Sequence, residues 1–349
     1  MKVIKCENKT RNSSIELVRL LAMFMIVLYH LILFFIEPIS SDPIFKAIQI
    51  PLHIGVILFV LISGYFGINP SFRGFFRILC VVAVYFLPLR LWYVYCMGMG
   101  GMAMLDSFHV LSKTPYWFVR TYLCLYIISP FINKCLKHIT LRERLYYIMA
   151  FAIIVIYLGM LQCDITLIDG KNIANFILIY IIGDTIRKEH NRWTKFSNLS
   201  FVLCFLLLNV ILVSLYIACR DTVISDMVWN WSYPYYSPFL LVSSVLFFVP
   251  FTRITIHSRY INYVAVSVFS IYIIHHQPTI LEKCMRPVVN TLYSIANENA
   301  CECLGMLIVF VVFVMIISVI IDKLLSPLWY GLDTIGKTLS DRIDKLLFP

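Results

Sequence analysis

Ten long apolar runs alternate with short polar segments along the chain. Each run holds roughly the 20 residues that an α-helix needs to cross a bilayer. This pattern predicts an all-α integral membrane protein, a bundle of about ten transmembrane helices. The predicted spans are 15–37, 46–67, 75–97, 116–133, 145–161, 173–187, 199–219, 235–251, 260–277 and 303–324.

Lysine and arginine concentrate in every second loop. Twenty-one lie in the N-terminal tail and early first span, around the loops after spans 2, 4, 6 and 8, and in the C-terminal segment. Six lie in the opposite loops, and Arg90 and Arg120 lie within spans. Cytoplasmic loops carry the excess of positive charge, so both termini are predicted to be cytoplasmic. We divide the chain into a cytoplasmic N-terminal tail, 1–14, a membrane domain, 15–325, and a cytoplasmic C-terminal tail, 326–349. The first run is longer than a signal sequence and lacks a small-residue cleavage site, so it is predicted to be retained.

The composition excludes an ordinary soluble domain. Of 349 residues, 60% are hydrophobic and 14% are charged. In a soluble protein, a net charge of +10 would suggest binding to nucleic acid. Here the positive charge is explained by membrane topology, so we predict contact with membrane lipid and no binding to nucleic acid. The eleven cysteines show no zinc spacing, and no metal is implied. A disulfide from Cys301 or Cys303 to Cys284 or Cys163 is left open.

The first span carries three ionisable residues, which are costly in hydrocarbon and need partners or a wet cavity. Arg19 and His30 are 11 residues apart, which places them on one helix face about 16 Å apart along the axis. Glu16 lies near the same face and is a candidate partner for Arg19, or else a solvated residue of the first turn. An imidazole in mid-membrane is suited to take a proton from a hydroxyl group, and a guanidinium at the rim is suited to a phosphate.

Further polar residues follow at both ends of the next spans. Gly64 and Gly67 permit a close backbone approach or a helix break, and Ser63 beside them is a candidate hydrogen-bond donor. Arg73 and Arg77 are one turn apart on the predicted cytoplasmic side. They are either topology markers or, with Arg19, a cationic patch for a phosphorylated donor.

Several polar residues fall in the predicted outer half of the membrane. Their simpler interpretation is snorkelling or hydrogen bonding between helices, and together they outline a candidate pocket for an acceptor sugar. The residues are His53, Arg90, Arg120 and the pair His275–His276. The aromatic segment 229–236 is either an interfacial belt or a platform on which a sugar stacks.

Four sequence elements occur in order along the chain. Arg19 and His30 form an R-x10-H pattern, and the stretch 57–66 reads ILFVLISGYF. YWFVRTYLCLYIISPFIN follows at 116–133 and VFSIYIIHHQP at 268–278. Together these elements resemble the acyltransferase 3 family, whose members mostly O-acetylate bacterial surface glycans. The resemblance covers roughly 13–325, including the ten-span count.

The resemblance implies roles for individual residues. His30 corresponds to the essential histidine of the family, Arg19 to the basic residue of the same motif, and Ser63 to a structural Ser-Gly element. Arg73 and Arg77 fall where the family has an R-x-x-R pair for the donor, although the spacing here is R-x-x-x-R. We therefore predict catalytic His30, Arg19 and Glu16, donor-binding Arg73, Arg77 and Ser63, and acceptor-binding His53, Arg90, Arg120 and His275.

The resemblance also implies the reaction and its place. The donor substrate would be acetyl-CoA or another acyl-CoA from the cytoplasm, with no further cofactor. The acceptor would be a hydroxyl of a surface polysaccharide or lipid-linked sugar at the bacterial cytoplasmic membrane. His30 either deprotonates that hydroxyl or is transiently acylated. The family often has a glutamate after the last span, where this chain offers Asp322, to which we assign no such role. The alternative function is a transporter or flippase of lipid-linked sugars.

Overall fold

The computed structural model describes residues 12–35, 43–110, 115–161, 168–296 and 299–347. These residues are helical apart from short connections, and no strand occurs among them. The helices are α1 (Ser13–Phe35), α2 (Pro43–Leu52), α3 (Ile54–Phe66), α4 (Phe72–Cys96), α5 (Gly101–Ser107), α6 (Trp117–His138), α7 (Leu141–Ile156), α8 (Ile173–Lys188), α9 (His190–Trp193), α10 (Asn198–Ala218), α11 (Val223–Ser232), α12 (Pro238–Arg253), α13 (Arg259–Ala265), α14 (Val268–His275), α15 (Pro278–Ile280), α16 (Arg286–Ile295), α17 (Ala300–Leu324) and α18 (Ser326–Leu347). Short π-helical turns, Tyr157–Leu161 and Leu281–Met285, and a 3-10 turn, Ile168–Gly170, complete the set.

Five helical segments of the described chain are long and apolar enough to cross a membrane. They are Ser13–Phe34, Pro43–Phe66, Phe72–Cys96, Asn198–Ala218 and Ala300–Leu324, and they coincide with predicted spans 1, 2, 3, 7 and 10. The all-helical membrane class is therefore confirmed. Shorter or more polar helices occupy the other five predicted positions. The count of ten spans and the cytoplasmic location of both termini stay predictions.

The predicted ninth span is not one continuous helix. It consists of α13 and α14, separated at Val266 and Ser267. The amide of Ser267 donates to the carbonyl of Val264, a three-residue turn tighter than the α-helical ladder, and this turn ends α13. Apolar periodicity cannot register such a turn, because the side chains on both sides of it stay hydrophobic.

Helix α1 is the centre of the bundle and packs against α2, α3, α12, α13, α14, α16 and α17. Two apolar cores meet along it. Its first half contributes Ile15 and Val18 to a core with α3, α8 and α12. Its second half contributes Val27 and Leu31 to a core with α4, α14 and α17. The charged face of α1 is thereby held inside the protein.

Helices α3 and α8 approach each other through two glycines. A Cβ on Gly64 would lie 2.1 Å from the carbonyl oxygen of Tyr180, and one on Gly183 would lie 2.3 Å from that of Leu61. The close backbone approach predicted at Gly64 is therefore confirmed. Gly67 has a φ of 78° and ends α3, which confirms the predicted break.

The predicted C-terminal tail contains a long helix, α18. It lies along α4, where Gly336 packs on the ring of Phe76 and Arg73 forms a bidentate ion pair with Asp333. The hydrogen bond from Arg73 lowers the pKa of the Asp333 carboxyl below its ordinary value. This segment is thus a helix docked on α4.

The outward surfaces of α10 and α17 are apolar. Leu203, Leu207, Val309 and Phe313 are all more than half exposed, as suits side chains that face lipid. At the start of α17, Cys301 is exposed and Cys303 is buried, and both are free thiols, as is Cys284. Cys163, the other candidate for a disulfide, lies outside the described residues.

Candidate active site

A cavity of about 550 Å³ lies against one face of α1. Arg19, Met23 and Ile26 of α1 line it. These three residues follow the spacing of one helix face, and His30 is the next position of that series, one turn beyond Ile26. The cavity therefore follows the face predicted to carry Arg19 and His30 as far as Ile26, and His30 itself is not among its lining residues.

The walls of the cavity are mostly apolar, and three cations lie in its lining. These are Arg19, Arg77 and Lys323, from α1, α4 and α17. Three basic side chains from three helices thus meet at this cavity, together with the carboxylate of Asp322. The hydroxyl-bearing residues Ser63 and Tyr122 lie in the same lining.

Arg19 is held by Glu16 in the manner predicted as one alternative. One guanidinium nitrogen of Arg19 donates to both carboxylate oxygens of Glu16, at 3.0 and 3.2 Å. Glu16 is buried, with 7% of its surface exposed, so this contact is not that of a solvated first-turn residue. The Arg19 side chain remains about one third exposed. It thus faces the cavity while its charge is partly balanced.

His30 lies in a cluster of three imidazoles. Its Nδ1 is 2.9 Å from Nε2 of His275, and its ring stacks on that of His276 with centroids 4.5 Å apart. Tyr272, which lines the cavity, lies 5.9 and 6.0 Å from the His275 and His276 rings. The imidazole cluster is therefore in contact with Tyr272 of the cavity wall.

A family model described as an acyltransferase domain matches residues 12–322, nearly the whole chain. The chain belongs to the acyltransferase 3 family. No curated protein and no solved structure matches it. Family membership makes this protein a membrane acyltransferase, and the resemblance of its motifs is confirmed.

The two predicted donor arginines of this acyltransferase differ in their surroundings. Arg77 lines the cavity, whereas Arg73 does not and is engaged by Asp333 of α18. The two residues are one turn of α4 apart and therefore share a helix face, so the difference between them comes from Asp333, which engages Arg73. Ser63 donates to the carbonyl of Phe59 at 2.9 Å and lies 3.2 Å from the Tyr122 hydroxyl, a position consistent with a structural role.

His53 of the acyltransferase lies in a second, neighbouring aromatic cluster. Its Nδ1–H donates to the backbone carbonyl of Tyr233 at 2.5 Å, and its ring stacks on that of Tyr233, with centroids 4.2 Å apart. The Tyr29 and Tyr233 hydroxyls hydrogen-bond to each other, and the Tyr29 ring contacts both His30 and His53. Tyr29 thus joins the two clusters.

The aromatic segment 229–236 contributes to this interior rather than to a belt alone. Tyr235 and Tyr236 are 3% and 4% exposed, so their rings have no free face for a sugar. Only Trp231 of this segment counts among the exposed large apolar residues. Neither interpretation of the sequence anticipated that α11 and α12 turn these tyrosines inward.

The remaining two acceptor candidates have more open surroundings. Arg90 lies over the ring of Tyr93 on its own helix, 5.9 Å from the centroid. Arg120 is exposed near the start of α6. His275, in contrast, is buried and contacts His30 directly. The acceptor role of all four residues stays a prediction.

Lys323 and Asp322 line the cavity, although the sequence pattern gave neither of them a role in the site. Loop charge marks Lys323 only as a topology residue, although its place after a long apolar span next to Asp322 is a usable signal. Asp322 is buried, and its Oδ1 accepts hydrogen bonds from Ser270 (2.6 Å), Tyr85 (3.0 Å) and Trp329 (3.1 Å). This carboxylate joins α4, α14, α17 and α18 around the cavity.

Proposed function

We propose that this acyltransferase transfers an acyl group, most simply acetyl, from acyl-CoA to a sugar hydroxyl. The acceptor is a bacterial surface polysaccharide or its lipid-linked precursor, at the cytoplasmic membrane. One observation carries the proposal: the cavity begins at a cluster of cations and follows the α1 face that leads to His30. The negative charges of the CoA phosphates match the cations, and the acyl-pantetheine arm would lie between the mostly apolar walls.

The length of that path suits the donor. About 16 Å of helix separates Arg19 from His30. A substrate bound by its phosphates at Arg19, Arg77 and Lys323 has to extend its reactive end toward His30 across this distance. CoA carries its thioester at the end of a long arm, away from the phosphates. A small acyl donor without such an arm could not occupy both ends.

Chemistry at His30 follows from the orientation of its ring. With Nδ1 engaged by His275, Nε2 is the nitrogen left to react. It takes the proton of the acceptor hydroxyl, and the hydroxyl oxygen attacks the thioester carbonyl carbon. The carbon–sulfur bond then breaks, and the proton passes to the CoA sulfur, which yields the ester and free CoA. Transient acylation of His30 would use the same nitrogen.

The test compares surface glycans by mass analysis in a strain that lacks the protein. The strain is complemented with wild type, with His30→Ala or with the exposed control His109→Ala. We expect the acyl mass increment to return with wild type and His109→Ala but not with His30→Ala, at equal protein levels. Acylation that persists with His30→Ala would refute the proposal. Unchanged acylation together with lost surface glycan in the null strain would identify a transporter instead.

A direct assay tests the donor. The purified protein is incubated with acetyl-CoA and a glycan acceptor, and release of free CoA is measured with a thiol reagent. Release that depends on both the acceptor and His30 supports acyl transfer from CoA. Acyl transfer in cells without any use of acyl-CoA by the purified protein would contradict this donor.

A further inference from the structure

His275 is the last residue of α14 and is fully buried. Both of its ring nitrogens have partners. Nδ1 lies 2.7 Å from the carbonyl oxygen of Ile271, and Nε2 lies 2.9 Å from Nδ1 of His30. The side chain thus stands between a fixed backbone group and the histidine of the family motif.

The carbonyl contact determines where the proton of His275 resides. A carbonyl oxygen only accepts hydrogen bonds, so Nδ1 of His275 must carry hydrogen. In a neutral ring Nε2 then has no hydrogen and acts as an acceptor. The hydrogen of the 2.9 Å contact consequently belongs to Nδ1 of His30, which leaves Nε2 of His30 with its lone pair free.

We infer that His275 is a positioning residue for His30. The Ile271 carbonyl fixes the tautomer of His275, and His275 in turn fixes the tautomer and the ring orientation of His30. The ring of His276, stacked on His30, restricts rotation on the other side. The reactive nitrogen is then Nε2 in every turnover. This inference rests on the proposed function and specifies how its key residue is prepared.

A neutral imidazole suits this role within a membrane protein. When His30 takes a proton, its Nδ1–H bond to His275 becomes charge-assisted and stronger. A carboxylate in the same position would stabilise the protonated ring further, but a buried carboxylate carries a large desolvation penalty in the resting state. The arrangement therefore orients His30 without placing a permanent charge beside it.

The test replaces His275 with two residues of similar size, Gln and Met. The Gln side-chain oxygen is an acceptor at about the position of the imidazole Nε2, whereas Met offers only a weakly accepting sulfur. We expect His275→Met to lower kcat about a hundredfold, the scale associated with a misoriented general base. The kcat of His275→Gln should be at least about tenfold higher than that of His275→Met. KM for acyl-CoA should change less than about threefold in both, since His275 does not line the cavity.

Protein level and thermal unfolding in detergent are measured for both variants, so that kcat is compared per folded molecule. Equal kcat for Gln and Met, whether high or low, would overturn the inference, as would a loss confined to KM. The proposed function has its own measure, the dependence of wild-type activity on His30. A fully active His275→Met beside an inactive His30→Ala would end the positioning role and leave the proposed function intact.

Discussion

At the scale of single residues, the cavity depends on cations that the chain brings from distant positions. Arg19, Arg77 and Lys323 are far apart in sequence and converge on one cavity. Under the proposed function each of them attracts the anionic donor, and Arg19 in addition has a carboxylate partner within its own helix turn. Because the three cations come from three helices, their contributions to donor binding can be separated by substitution.

Lys323→Gln should raise KM for acyl-CoA about tenfold and change kcat less than about threefold. One charge-assisted contact to phosphate contributes on the order of 1.5–3 kcal/mol, and part of it is screened at an open cavity. Steady-state kinetics against acyl-CoA concentration checks this. Lys337→Gln, an exposed charge on α18 that does not line the cavity, is the matched control. Equal effects of both substitutions would mean that net charge, not the cavity, attracts the donor.

Arg19 and Glu16 allow stability and activity to be distinguished. Arg19→Gln leaves the buried Glu16 carboxylate without its guanidinium, which is strongly destabilising for a buried charge. The double variant Glu16→Gln with Arg19→Gln removes both charges. We expect it to restore the unfolding temperature toward wild type while donor binding stays weak. Recovery of activity along with stability would show that Arg19 acts only as a structural partner.

Helical periodicity was sufficient to place Arg19, Glu16 and His30 on one face, because all three lie in one uninterrupted helix. It could not reveal the His30–His275 contact, which joins positions 245 residues apart. Nor could it separate Arg73 from Arg77. That distinction depends on Asp333, 260 residues later in a helix interpreted from sequence as a tail. The local sequence pattern predicts which residues share a helix face, whereas the residues that they contact on other helices depend on tertiary packing.

At the scale of elements, α3 and α8 approach each other closely at Gly64, where the sequence predicted a close backbone approach without naming the partner helix. Gly64→Ala would place a methyl group 2.1 Å from a backbone carbonyl oxygen, which cannot rotate away as a side chain can. We expect a loss of about 1–3 kcal/mol or failure to accumulate. Gly305→Ala on α17, where no atom lies within 4 Å, is the control and should be neutral or slightly stabilising. Thermal unfolding in detergent measures both, and equal behaviour of the two variants would contradict the close backbone approach of α3 and α8.

The docking of α18 on α4 should be insensitive to pH near neutrality and weaken only in acid, because it involves the Asp333 carboxylate. The pKa of its carboxyl is lowered in the folded protein, so its stabilising contribution is present above the unfolded value, about 3.9, and is lost as pH falls through the folded value. The contribution is small because both partners are partly exposed. Limited proteolysis of the C-terminal segment should be constant between about pH 5 and 8 in wild type. The C-terminal segment of the Asp333→Asn variant should be cleaved faster than that of wild type throughout this pH range. Identical cleavage of the two proteins would show that the ion pair does not hold α18 on α4.

At the scale of the whole molecule, the class of fold followed from sequence because apolar runs and loop charge agree with each other. The number of crossings is a harder question. Only five described segments meet the length and hydropathy of a span, while α6, α7, α8, α12 and the α13–α14 pair are shorter or carry more polar residues. Such helices can cross where neighbouring helices shield them from lipid, and most residues of α8 are buried. Hydropathy alone cannot distinguish a shielded crossing from an interfacial helix.

Sidedness decides between these possibilities, because each true crossing moves the following loop to the opposite face. The ten-span topology places Cys96 outside and Cys135 inside, with only α6 as the crossing between them. It likewise separates Lys171 from Lys195 through α8, and His257 from Cys301 through the α13–α14 pair. Single-cysteine variants at these six positions, all exposed, are treated in intact and permeabilised cells with an impermeant maleimide. We expect labelling of intact cells at 96, 171 and 301 only, and labelling at 135, 195 and 257 after permeabilisation. If the cysteines at positions 96 and 135 are labelled alike, α6 does not cross the membrane. The membrane face on which the cavity cations and His30 lie must then be reassigned.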